Sequence, residues 1–181
     1  MDSVIGARSD RLTAGSLGPR SDERTKASLK PWPASSHTAR QVPHLGAAAV
    51  VVCLASSYLK AGLAEDALST AGKALNVIEQ TGARMSAAEL CRLKGEALLS
   101  RGAPFDSQAQ ACFEQAIAIA RQQEAKSWEL RAVTSLARLL ARRGRRDEAR
   151  AMLAEIYGWF IEGFDTSDLK EAKALLEEFS G

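Results

Sequence analysis

Gly62, Gly102 and Gly144 stand 40 and 42 residues apart, and Ala67, Ala109 and Ala149 stand 42 and 40 apart. This double period constrains the fold more than any other feature. A unit of about 40 residues that holds two amphipathic stripes is a helix–turn–helix repeat, and such units bury a continuous core only by stacking. The stripes follow helical spacing. The first helix carries Ala47, Val51, Leu54 and Tyr58 and stops at Gly62; the second carries Leu68, Ala71, Leu75 and Ile78 and stops at Gly82. Both glycines stand where a left-handed helix cap is wanted. The third helix opens on Ser86-Ala-Ala-Glu89, which has the form of a capping box, and carries Leu90, Leu93 and Ala97. Ala109, Phe113, Ala116 and Ala120 mark a fourth helix, Ala132, Val133, Leu136 and Leu140 a fifth, and Ala149, Leu153, Ile156 and Phe160 a sixth. The turn pattern G-x-x-[DE]-x-A recurs as Gly62 to Ala67 and as Gly144 to Ala149. Leu169, Ala172, Leu175, Leu176 and Phe179 give a seventh helix whose other face, Lys170, Glu171, Lys173, Glu177 and Glu178, suits a terminal cap. The expected fold is all-α, an α-solenoid of three helix pairs plus a C-terminal capping helix.

Residues 1–44 differ in kind. They hold Pro19, Pro31, Pro33 and Pro43, four of the chain's five prolines, and no apolar period survives among them. Such a stretch cannot bury enough apolar surface to offset its ordering entropy, so a disordered tail is expected over 1–44 and the repeat domain over 45–181. Asp2, Asp10, Asp22 and Glu23 do not suit a transit peptide, and an early apolar run typical of a secretory signal is missing. The most apolar run, Leu45 to Leu59, is broken by Ser56 and Ser57 and falls short of the roughly 20 residues that span a bilayer, so a buried helix is expected there. Cys53, Cys91 and Cys112 are odd in number, lie within helical stripes and have no histidine near them, since His37 and His44 are both in the tail. Buried thiols in a cytoplasmic protein, with no metal and no cofactor, are the expectation.

The segments Ala88-Glu-Leu-Cys-Arg-Leu-Lys-Gly-Glu-Ala-Leu-Leu99, Ala111 to Arg121, Lys126 to Arg138 and Tyr157 to Lys173 together carry a resemblance. They are similar to the C-terminal tetratricopeptide-repeat tail of large bacterial regulators, which join an adenylate/guanylate cyclase or a DNA-binding domain to a signalling ATPase. The resemblance spans residues 45–180. It implies a tetratricopeptide-like fold and a role in protein–protein contact. The parts that do chemistry in that family are missing from this sequence. There is no G-x-x-x-x-G-K-[ST] loop, and Gly72-Lys73 lies within a helical stripe.

In such arrays the first helix of each pair lines the concave side. The repeat register places Glu89, Arg92 and Glu96 from the second pair there, and Arg131, Thr134, Arg138 and Arg142 from the third. Arginine forks match carboxylates bidentately, so these seven residues are a candidate groove for an acidic or extended peptide. The competing reading is a solvated face of Arg–Glu pairs, each worth little. The run Arg138, Arg142, Arg143, Arg145, Arg146 and Arg150 is basic, but Asp147 and Glu148 interrupt it and no aromatic interleaves it, which speaks against nucleic acid. Trp128, Tyr157, Trp159, Phe160 and Phe164 have the spacing of core residues between the third pair and the cap. With no histidine in the folded part, no Ser/His/Asp or Cys/His arrangement can form, so no catalytic site is expected. The expected function is therefore a non-catalytic protein–protein interaction module, a scaffold or sensor arm in bacterial signalling resembling the detached tail of a larger regulator. Two alternatives stay open: self-association through the apolar helix Ala47–Leu59, and a truncated gene fragment without independent function.

Overall fold

A computed structural model describes residues 38–82 and 84–181, with side chains from residue 48 onward. Among these residues the fold is all-α. Seven helices follow in order: α1 (Thr38–Lys60), α2 (Ala64–Thr81), α3 (Ala87–Ser100), α4 (Asp106–Gln122), α5 (Lys126–Arg142), α6 (Arg146–Tyr157) and α7 (Ser167–Glu178). Short 3-10 turns, Arg84–Ser86 and Ala103–Phe105, lead into α3 and α4. The expectation of a disordered tail falls mostly on residues 1–37, outside the described residues. Helix α1 begins at Thr38, ahead of the boundary at 44 drawn from composition.

Three turns share one backbone geometry. Gly62, Glu124 and Gly144 adopt positive φ of 75°, 54° and 79°. In each, the next residue's N–H reaches back five residues to a carbonyl: Leu63 to Tyr58, Ala125 to Ala120 and Arg145 to Leu140, all at 2.9 Å. This is the 6→1 bond of a Schellman cap, and it satisfies a carbonyl the ending helix would leave open. The next helix starts two residues after the positive-φ residue in all three. Gly102 differs from these three, because Pro104 lies within an intervening 3-10 turn and α4 starts four residues after it. Those two extra residues explain why the glycine spacing runs 40 then 42 while the alanine spacing runs 42 then 40.

Short turns of this kind make sequential helices antiparallel neighbours. Each helix packs on the next, and α1 with α3, α3 with α5 and α5 with α7 also pack in series. The odd-numbered helices thus form a continuous layer. Ala67, Ala71, Ala109, Ala116, Ala120 and Ala149 are wholly buried, which lets backbones approach closely. Gly95 of α3 lies directly against the ring of Phe113 in α4. The larger apolar cluster runs through α3–α7 around Phe113, Leu130, Leu139, Leu140 and Leu153. A smaller one, with Ala71, Ile78, Ala87 and Leu90, joins α2 and α3 to Val51 and Val52 of α1.

Helix α1 departs from its expected stripe. Ala55 is its fully buried residue, while Leu54 is exposed and Val50 is 66% exposed. The helix is apolar nearly all round, so periodicity alone could not say which face packs. None of the described helices is long and apolar enough to cross a membrane.

Candidate functional site

The seven residues of the candidate groove come from α3 and α5, which pack side by side, and the structure brings all of them to one region. Its centre is Glu89. This carboxylate is 2% exposed and receives the Arg92 fork at 2.7 and 3.0 Å. Arg131 reaches the same carboxylate from α5 at 3.1 Å. A buried carboxylate is tolerable only when paired in this way. Glu89 is therefore occupied, and Ser86 makes no side-chain cap bond, so the expected capping box does not form. Burial alone would disfavour the charge on Arg92, but its hydrogen bond to Glu89 and the nearby charges of Glu89, Glu96 and Asp168 together outweigh it, and its ionisation is pushed up.

Around this centre the groove is largely self-neutralised. Arg92 also lies 3.5 Å from Glu96, and Glu96 accepts a 2.6 Å hydrogen bond from Ser135. Arg131 faces Asp168 at 3.6 Å, and Arg138 is ion-paired with Glu171. Asp168 and Glu171 belong to α7, so the capping helix turns one acidic edge onto the arginines of α5. Glu171 accordingly belongs to the groove rather than to an outward polar face. Thr134 is buried and donates its hydroxyl to the Leu130 carbonyl at 2.8 Å within its own helix. Arg92, Arg131, Thr134, Arg138, Asp168 and Glu171 enclose a cleft of only about 90 Å³. Three cations and four carboxylates meet in this region, which removes the basic lean expected of it.

The groove opens at the far end. Glu96, Arg138 and Arg142 line a second cleft of about 570 Å³, together with Ser135, Arg146, Leu175 and Phe179. Arg142 and Arg146 make no ion pair or hydrogen bond among the described residues. Their neighbours do: Arg143 bonds Gln110 at 2.7 Å and lies 3.7 Å from Asp106, and Arg145 grips Glu148 with both nitrogens at 2.7 Å. Register reasoning found Arg142 but missed Arg146, which comes from α6, and the carboxylates of α7. The basic run did contain Arg146; only its position beside the cleft was hidden.

A different surface corrects the expectation for the aromatics. Tyr157 and Phe160 pack on the core as expected, whereas Trp159 and Phe164 are exposed, with Trp159 at 58% and the neighbouring Ile161 at 90%. They lie in the connection between α6 and α7. Trp159 meets Phe160 edge-on at 5.2 Å, and the Lys126 ammonium sits 5.8 Å from the Trp159 ring.

Cys53 is exposed, against the expectation of a buried thiol, because it lies on the uncovered face of α1; Cys91 and Cys112 are at least half-buried and chemically quiet. Burial pushes Cys91 up to about 11 despite Lys94 nearby, and burial raises Cys112 as well. No group of His, Cys, Asp or Glu among the described residues is placed to hold a metal ion. Compared with known proteins, the chain matches no protein-family model and no curated protein.

Proposed function

We propose that the chain is a non-catalytic protein–protein interaction module, a tetratricopeptide-like α-solenoid of three helix pairs plus a capping helix, which binds an extended protein segment on its concave side as a scaffold or sensor arm in bacterial signalling. The recurrent Schellman turns and the continuous layer of odd helices support the solenoid reading. One observation carries the binding reading. At the open end of the groove a cleft of about 570 Å³ pairs two unneutralised arginines with apolar walls. That volume is in the range of sites that take small ligands or a few side chains. The test is selection of the full-length chain against a displayed peptide library, followed by amide chemical-shift mapping of the selected peptides. Perturbations clustered on α3, α5 and α7 are expected. Failure to enrich any peptide, or shifts confined to the outer helices α2 and α4, defeats the reading.

The exposed Val50 and Leu54 of α1 favour self-association as a second reading. Light scattering over a concentration series separates the two. A dimer that the V50E/L54E variant converts to monomer supports self-association, and a monomer at all concentrations refutes it.

A further inference from the structure

We propose that the Arg142–Arg146 cleft recognises one side-chain carboxylate of an extended protein segment and seats the apolar side chain beside it; this inference rests on the interaction-module reading above. The cations are placed for something outside the chain. Arg146 is the first residue of α6, where the helix dipole is already positive and a cation is disfavoured. Its neighbours Asp147 and Glu148 stand one and two residues on, and such pairs do not face each other on a helix. The positions that do face it hold Ala149 and Arg150. Arg145 shows what an internally satisfied arginine looks like at the same corner, gripped by Glu148 three residues away. Among the described residues Arg146 has no such partner, and neither has Arg142 across the turn. Arg142, in the last turn of α5, suits the helix dipole, but Arg146 breaks a local rule without an internal gain, which is the pattern expected of a residue kept for a ligand.

The rest of the cleft narrows the ligand. The hydroxyl donors of Ser100 and Ser135 are spent on the Glu96 carbonyl and carboxylate, so the free donors facing a ligand are the guanidinium groups. A planar carboxylate accepts such forks bidentately. Ala141, Leu175 and Phe179 supply apolar wall for a neighbouring side chain. Glu178 also lines the cleft, and Glu171 already neutralises Arg138. The net positive charge is therefore small, which suits a single carboxylate and opposes a polyanion such as nucleic acid.

Nuclear magnetic resonance of the arginine Nε–H groups in the full-length chain reads this directly. The probes are a short peptide with one glutamate between two leucines, its glutamine twin and a short DNA duplex. The glutamate peptide should shift the Arg142 and Arg146 signals saturably and bind at least tenfold more tightly than the glutamine twin. The R142Q/R146Q variant should lose that discrimination while its circular dichroism stays unchanged, both side chains being at the surface. Equal binding of the twins, or an unchanged preference in the variant, overturns the proposal, as does tighter binding of the duplex. If library-selected peptides bind R142Q/R146Q with full affinity, the site assignment fails while the module reading stands. If neither the probes nor any selected peptide binds, both fail.

Discussion

Replacing Gly95 with alanine would place a methyl carbon 2.5, 2.8 and 2.9 Å from three ring carbons of Phe113. Optimal carbon–carbon separation is about 3.5–4.0 Å, so the ring must retreat by roughly 1 Å. Phe113 is fully buried in the main core, so its ring can retreat only by displacing core neighbours. Overpacking of this kind costs about 1–3 kcal/mol. Against it stands the helix-propensity gain of a mid-helix glycine-to-alanine change, about 1 kcal/mol. Gly72 in α2 provides the control, because a methyl group there meets nothing within 4 Å. The propensity gain is common to both substitutions, so the difference between them isolates the contact. Gly72→Ala should raise stability by about 1 kcal/mol, and Gly95→Ala should fall below it by about 1–3 kcal/mol. Urea unfolding of the full-length chain, followed by helical circular dichroism, measures both as midpoint shifts at constant slope. A Phe113→Leu background should relieve much of the Gly95→Ala cost, giving a coupling of about 0.5–3 kcal/mol in a double-mutant cycle. If Gly95→Ala is stabilised as much as Gly72→Ala, the close approach of α3 and α4 is wrong, and so is the packing that sets the groove.

Glu124 holds a φ of 54° at a turn position where its counterparts are glycines, so Glu124→Gly should stabilise the chain by about 1 kcal/mol in the same urea assay. Glu129 is buried; burial alone would raise its carboxyl, but hydrogen bonds from Lys126 at 2.8 Å and Arg121 at 2.6 Å outweigh it and hold it below its ordinary value of 4.5. The unfolded chain then takes up the proton more readily, so this contribution is complete above pH 4.5 and fades as pH falls through the lower folded value. Glu129→Gln should flatten the decline of stability across that acid window, and an unchanged slope would count against the buried pairing. Thiol labelling should modify the exposed Cys53 first, while buried Cys91, pushed up to about 11, reacts only at the rate of opening; rapid labelling of Cys91 in the native chain would contradict its burial.

Much of the scaffold could be read directly. Gly62, Gly82 and Gly144 do adopt left-handed conformations, because a residue ending a helix must supply that φ and glycine does so without steric cost. The stripes of α2, α4, α5 and α6 bury Ala71, Phe113, Leu136 and Leu153 as their spacing requires. Periodicity does not single out a face in α1, which is apolar nearly all round, and it says nothing of Trp159 and Phe164, which stand in a connection rather than a helix. The Glu124 turn is not legible either, because nothing in a glutamate side chain announces a positive φ. For the candidate site, the register places residues of α3 and α5 side by side but carries nothing of their electrostatic state.

By itself, then, the sequence determined the helical stripes and the glycine-capped turns, since each depends on residues within a turn or two of one another. Only the tertiary structure decided what the arginines do. Ser135 meets Glu96 from 39 residues away and Arg138 meets Glu171 from 33, pairings that no local period encodes. They arise because α3, α5 and α7 lie side by side in one layer, so that the acidic edge of α7 neutralises the centre of the groove. At the α5–α6 corner no carboxylate among the described residues reaches Arg142 or Arg146, and the charge that could meet a partner is left there.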